Sequence, residues 1–352
     1  MCQPLKELKD KITSLDNGSS IAIVMHENPD PDAIGAALGL TMLFKTWKPE
    51  VKCSKFYSGE ISHSQNKTMI NVLNVDMANL AEVGDAINEY AFFVLVDSLP
   101  DRSAPFVDNK DIKCNFVVDH HRNETKKAEI TDIRSVGATS TIVFEYLQSE
   151  GVKFSSNNDL DTMVATALLI GIKTDTQDLI TENVTNLDFE AYQQLMHFID
   201  RGKLSSIINY PIPSYQLELR NNLEVEGNFK MDNGIFVGGV GHISGSKRDV
   251  LPILAYERSR LEDVNTAFIF AIVGDFICVS VRSINLAVDI NAICQKIFGK
   301  EHAGGKQGAG AAKIPLDFLV VNTEAPQEVK DKQWDFVRSH LIDRIFHVIQ
   351  NN

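Results

Sequence analysis

The segment His26-Glu27-Asn28-Pro29-Asp30-Pro31-Asp32 places one histidine and two aspartates directly after the apolar run Ile21-Ala22-Ile23-Val24-Met25. Imidazole and carboxylate gathered at one strand end are ligands for a divalent cation. Three further apolar runs close in the same way, residues 93–96 at Asp97, residues 116–118 at Asp119-His120-His121, and residues 167–171 shortly before Asp175. Four such ends delivering Asp and His to one edge predict a dinuclear metal site, because the ligand crevice of an open parallel sheet forms at the carboxyl ends of its strands. A lone aspartate after a strand is ordinarily a turn former or a helix cap. Five aspartates and three histidines, all placed just after apolar runs, call for more than that.

Two divalent ions about 3.5–4 Å apart generate hydroxide at neutral pH and spread the charge that builds on phosphorus, so the chemistry this set suits is hydrolysis of a phosphate ester. One carboxylate must be shared by both ions. Asp97, alone at its strand end, suits that role. The mixed oxygen and imidazole donors, without any cysteine, favour two Mn²⁺ ions, with Mg²⁺ or Co²⁺ as substitutes.

The elements that must position these residues alternate between helix and strand. Leu5, Leu8, Ile12 and Leu15 fall at helical spacing before a stop at Asp16-Asn17-Gly18. Ala33, Ala36, Ala37, Leu38 and Leu40 predict a helix after the first motif, with Gly35 allowing close approach of helix and sheet. The continuous apolar runs at 91–96 and 116–118 predict strands buried on both faces, and residues 140–147 and 161–170 read as core helices. The fold class is therefore α/β, an N-terminal, mainly parallel sheet flanked by helices followed by a smaller C-terminal α/β domain with a mixed sheet. Residues 1–200 form the first domain, 201–227 a linker broken by Pro211 and Pro213, and 228–352 the second. Strands at 234–240, 266–273 and 276–281 and a helix at 327–349 build the latter, Gly274-Asp275 being a hairpin turn.

Composition bounds the partners. With 34 basic against 47 acidic residues the net charge of −13 repels a long nucleic-acid duplex, while a short phosphorylated molecule held by metal ions is compatible with it. The five cysteines lack CxxC spacing and read as reduced thiols of a cytoplasmic protein. No apolar run reaches the roughly 18 residues a membrane span needs, so no membrane partner is expected. A homodimer is compatible with everything in the sequence.

At this point His26-x-Asn28-Pro29-Asp30-x-Asp32, Asp97, Asp119-His120-His121 and Thr174-Asp175-Thr176 resemble, in order, the four signature motifs of the DHH phosphoesterase superfamily. Downstream, Arg282-Ser283 and Gly304-Gly305-Lys306-Gln307-Gly308-Ala309-Gly310-Ala311 resemble the DHH-associated C-terminal domain of the nanoRNase and phosphoadenosine-phosphate phosphatase subfamily. The resemblance implies that His26 and Asp30 hold one ion, that Asp32, His120 and Asp175 hold the other, and that Asp97 bridges. Asn28 and Asp119 are then expected to orient ligating groups, and His121 to meet the substrate phosphate. Arg282, Ser283, Gly304, Gly305 and Lys306 are expected to form a phosphate cradle on a glycine-rich loop, Arg282 gripping with its planar fork. The resembled motif usually has histidine where Lys306 stands and Ala-Ala-Gly where this chain reads Ala309-Gly310-Ala311.

These readings converge on a manganese-dependent phosphoesterase that cleaves linear dinucleotides, short oligonucleotides or 3′,5′-bisphosphorylated adenosine with metal-activated water. His121, Asp97 and Arg282 would carry the catalysis. Cyclic dinucleotides or polyphosphate are the alternative substrates, and an inactive nucleotide-binding regulator is the non-enzyme alternative.

Overall fold

In the computed structural model, which describes residues 2–100, 112–121, 128–285, 287–321 and 325–350, the chain divides into two compact units, Met1–Tyr210 and Pro211–Asn352. The strands of the first unit are Ser20–Glu27 (β1), Lys52–Ser58 (β2), Ala78–Asn79 (β3), Phe92–Val96 (β4), Cys114–Asp119 (β5) and Ala128–Ile133 (β6). They pair side by side in the order β3-β2-β1-β4-β5-β6, every pair parallel. Ile21, Ile23 and Met25 enter one apolar cluster while Ala22 and Val24 enter another, and Phe92, Val94 and Val96 alternate likewise with Phe93 and Leu95. Such strands need cover on both faces.

The helices of this unit are Gln3–Ser14 (α1), Pro31–Trp47 (α2), Ser64–Leu73 (α3), Leu80–Val83 (α4), Thr139–Ser149 (α5), Asp159–Asp175 (α6), Asn186–Leu195 (α7) and Arg201–Ile208 (α8). From β1 the chain steps outward to β2 and β3 and then returns to the other side of β1 as β4. That reversal makes the carboxyl ends of β1 and β4 the switch point of the sheet, where a crevice opens.

Three sequence expectations need correction. Asp175 does not close a strand as the other motif residues do; it is the last residue of α6, the helix expected over 161–170, which runs on to include it. Gly35 serves helix against helix, since a Cβ there would lie 2.6 Å from the Ala167 carbonyl oxygen on α6 and 3.0 Å from Ser140 Oγ. Replacing Gly35 with alanine should therefore cost about 1–3 kcal/mol of stability by overpacking. Urea unfolding measures this directly, and an unchanged midpoint would mean that the helices part freely. Residues 201–227 carry helix α8 and a helix of the second unit, Ser214–Leu223 (α9), where an irregular linker was expected.

The second unit continues with Phe229–Asp232 (β7), Ile235–Ile243 (β8), Val250–Ser259 (α10), Thr266–Val273 (β9), Phe276–Ser283 (β10), Ile290–Phe298 (α11), Ala303–Lys306 (β11), Ala309–Pro315 (β12) and Gln327–Gln350 (α12). Its sheet runs β11-β12-β10-β9-β8-β7 and is mixed, β8 and β9 being its parallel pair. Phe268 and Phe270 pack toward Trp334, Val337 and Leu341 of α12, and Ala267 and Ile269 toward Leu251 and Leu254 of α10. All five cysteines are unbridged. Among the described residues no helix is long and apolar enough to cross a membrane.

Candidate metal centre

His26 stands at the end of β1, and its Nδ1–H donates to the Glu27 carbonyl at 2.8 Å. A carbonyl can only accept, so the lone pair of Nε2 is turned inward, 3.7 Å from Asp30 Oδ1 and 3.5 Å from Asp97 Oδ2. Asp30 caps α2, its Oδ1 accepting from the amides of Asp32 and Ala33 at 3.0 Å each. Carboxylate at a helix start is the favoured polarity.

Asp97 follows β4 in the left-handed region with φ of 53°, uncommon for a non-glycine residue, and is almost fully buried. Its Oδ1 accepts from Thr139 Oγ1 at 2.9 Å and lies 3.5 Å from both His120 Nε2 and His121 Nδ1. One carboxylate thus faces three imidazoles. His120 repeats the logic of His26: Nδ1–H donates to the Val136 carbonyl at 3.2 Å, and Nε2 lies 3.0 Å from Asp175 Oδ2. The alignment leaves Nε2 a buried nitrogen in ion-pair contact but without a hydrogen-bond partner among the described residues.

Asp32, fully buried in the first turn of α2, has Oδ2 and Oδ1 accepting from the Thr139 and Ser140 amides at 2.7 and 2.8 Å. Asp175 sits at the carbonyl end of α6, where the helix dipole disfavours a carboxylate and a cation would offset it. The ligand atoms of His26, Asp30 and Asp97 all lie within 4.8 Å of one another, as do those of Asp32, His120 and Asp175 and those of Asp97, His120 and His121. An orphaned buried imidazole nitrogen among four carboxylates fits a pair of divalent cations, since burying so much like charge without one is costly.

The protonation pattern follows from that crowding. Burial opposes a charged His26, yet Asp30 and Asp97 raise its pKa to about 10; burial likewise opposes a charged His120, and Asp175, Asp32 and Asp97 raise it to about 10. Burial and the Asp175 carboxylate lift Asp32 to about 7, and Asp97 is held well above its ordinary value by burial and by Asp32 and Asp30. Burial would lift Asp30 too, but His26 and the two amides pull it to about 2. A metal must therefore displace protons. Both histidines have folded pKa values above their ordinary 6.5, so their extra proton stabilises the metal-free fold below that value and is lost as pH rises through about 10. Manganese affinity should accordingly climb between pH 6 and 10 with net proton release, and calorimetry in two buffers of different ionisation enthalpy should show it. Affinity independent of pH would contradict the displacement.

Asp119 and Asn28 were expected to steer ligands. Asp119 Oδ1 accepts from His121 N at 3.0 Å and from His121 Nδ1 at 2.8 Å, so it fixes the second histidine. Asn28 instead accepts from the Glu60 amide at 2.7 Å, tying β1 to the loop after β2 and touching no ligand. Its φ of 56° and the Gly59 beside it make that turn.

The second-unit residues depart further from expectation. Gly304, Gly305 and Lys306 form strand β11, paired with Ala311, Gly310 and Ala309, and not an open loop. Their smallness is used in packing: a Cβ on Gly305 would lie 2.7 Å from the Ala309 carbonyl oxygen, and one on Gly310 2.6 Å from Cys294 Sγ of α11. Ser283 is buried, its hydroxyl donating to the Asn265 carbonyl at 3.1 Å and sharing a 2.8 Å bond with Thr266. Arg282 remains available, bonded through Nη1 only to the neighbouring Val281 carbonyl at 3.0 Å, and lines a cavity of about 360 Å³ with Arg248, Lys313 and His302. Cations are concentrated there in an acidic chain.

Thr139, Ser140 and the Val136 carbonyl were not anticipated as site residues, although the small polar run 137–141 before an apolar stretch is an ordinary helix-start signal. Comparison with known proteins then decides the family: residues 20–172 match the DHH family, N-terminal domain. The chain carries a DHH domain. The DHH domain so defined contains every inferred metal ligand except Asp175, which lies three residues beyond. The chain is 34% identical over 316 residues to "Uncharacterized protein MJ1633" of Methanocaldococcus jannaschii, covering 88% of this chain but only 61% of that one. It is 23% identical over 345 residues to the "Probable bifunctional oligoribonuclease and PAP phosphatase NrnA" of Streptococcus mutans, covering 93% of this chain and 98% of that one. An exopolyphosphatase-related protein from Bacteroides fragilis shares the fold, with a TM-score of 0.71 at 16% identity over 97% of this chain and 98% of its own.

Proposed function

We propose that this DHH protein is a manganese-dependent phosphoesterase acting on short phosphorylated nucleotides, with linear dinucleotides, short oligoribonucleotides and 3′,5′-bisphosphorylated adenosine as its substrates. The observation that carries the reading is the pair of donor groups, His26–Asp30 and Asp32–His120–Asp175, meeting at the shared carboxylate of Asp97. Likeness to the Streptococcus mutans protein along nearly the whole of both chains supports this substrate class. Bound between these groups, two manganese ions would supply hydroxide at neutral pH and neutralise charge on the phosphoryl oxygens.

The chain's own residues do the rest. Asp97, Asp32 and Asp175 bring the negative charge that recruits the cations, while Glu27 and Val136 carbonyls hold the histidine tautomers that leave Nε2 as the donor atom. His121, braced by Asp119, is placed to donate to a phosphoryl oxygen. Arg282 and Lys306 are assigned to binding phosphate on the second unit.

The test is product release from manganese-loaded protein offered a linear dinucleotide, bisphosphorylated adenosine, a cyclic dinucleotide and short polyphosphate. Rapid conversion of the linear dinucleotide to mononucleotides is expected. Preferential turnover of the cyclic compound or of polyphosphate would redirect the substrate while keeping the centre. Tight nucleotide binding with no turnover of any of them would make the protein a regulator.

A further inference from the structure

Three of the inferred ligands lean on one short segment. Val136 accepts from His120 Nδ1 at 3.2 Å, Thr139 and Ser140 donate their amides to Asp32, and Thr139 Oγ1 donates to Asp97 at 2.9 Å. What fixes that segment is not local, because the residue capping α5 is Ala138, which has no side chain able to cap. The missing acceptor comes from α7. Asp188, fully buried, takes the Gly137 amide on Oδ2 at 2.9 Å and the Thr141 hydroxyl on Oδ1 at 2.6 Å, bracketing residues 137–141 from both ends. Its Oδ2 also accepts from the Thr185 amide and hydroxyl at 2.7 and 2.8 Å, which seats the carboxylate at the start of its own helix. Gly137 is pressed against it so closely that a Cβ would lie 2.8 Å from the Asp188 carboxyl and 2.5 Å from the Thr176 methyl, next to Asp175.

We propose that Asp188 is a positioning residue of the metal centre, setting the Asp32–His120–Asp175 group through residues 136–141 while leaving the His26–Asp30 side to its own supports. The inference rests on the dinuclear reading above. Asp188 hydrogen-bonds none of the ligands, so its effect must travel through Gly137 and Thr141. An acceptor with four donors is hard to replace: removing it strands the buried Gly137 amide and Thr141 hydroxyl.

The experiment is a manganese titration of the full chain, free Mn²⁺ being followed by electron paramagnetic resonance at fixed pH. Asp188→Ala is expected to weaken one of two bound ions about 10–100-fold, the range seen when an outer partner of a metal ligand is lost, and to weaken the other, reached only through the Thr139 bond to Asp97, distinctly less. Asp188→Asn should recover most of the affinity, because its oxygen keeps the amide donors while the Thr141 hydroxyl turns to accept. Should Asp188→Ala fail to fold, Thr141→Val removes one of the four bonds in a milder way and should weaken the same ion several-fold. Equal weakening of both ions, or unchanged affinities beside a lowered melting temperature, would reduce Asp188 to packing. Wild-type protein that binds fewer than two ions would overturn the dinuclear reading itself, a different failure.

Discussion

On the proposed dinuclear reading, Asp97→Asn is expected to lower dinucleotide hydrolysis by at least about 10³-fold and bound manganese from two ions per chain to one or none. The factor follows from losing several kcal/mol of charge stabilisation at about 1.36 kcal/mol per tenfold. The asparagine carbonyl can keep the Thr139 hydroxyl bond, so the backbone at φ 53° has little reason to move. What disappears is the charge that faces His26, His120 and His121 together. A second measurement separates this from simple damage to the fold. Burial, with Asp32 and Asp30 nearby, holds the Asp97 pKa well above that of the unfolded chain, so the ionised side chain burdens the metal-free fold at alkaline pH. Metal-free Asp97→Asn should therefore melt at or above the wild-type temperature at pH 9. Full activity with two bound ions would end the bridging role.

The residues of the candidate metal centre are legible in the sequence for a physical reason: parallel strands buried on both faces are continuous apolar runs, and the polar residues that end them are conspicuous. His26, Asp97 and His120 each follow such a run. Asp175 is legible as a residue and the helix before it as an element, but not that the helix runs on through Gly171 to carry Asp175 at its end. Strands β2 and β6 are not legible, being rich in polar residues, although they flank the motif strands on either side. The glycine run near Gly305 was read as a cradle where the fold uses it to bring β11, β12 and α11 together; composition alone cannot tell room for a ligand from room for a helix. Asp188 was invisible for a deeper reason. Two of its four bonds join segments about fifty residues apart, and nothing in the run Thr185-Asn186-Leu187-Asp188 says more than a helix start.

Adjacent histidines invite a test that separates ligand from substrate donor. His120 is buried, its Nδ1 occupied by a carbonyl and its Nε2 turned into the carboxylates; His121 is 41% exposed and its Nδ1 is held by Asp119, whose own pKa is lowered, against the effect of burial, by that contact. The rings lie 4.4 Å apart between centroids, so proximity does not distinguish them, and His121 Nδ1 is as near Asp97 as His120 Nε2 is. Occupancy does. A nitrogen already bonded to Asp119 at 2.8 Å is a poor ligand, whereas His120 Nε2, which makes no hydrogen bond among the described residues, is a good one. His121→Ala should thus keep both manganese ions and lose about 10²–10³-fold in turnover, the scale for removing one preorganised donor to a developing oxyanion. His120→Ala should instead lose an ion, with activity partly restored by raising the manganese concentration. Activity of His121→Ala that manganese excess restores would make His121 the ligand and reverse the two roles.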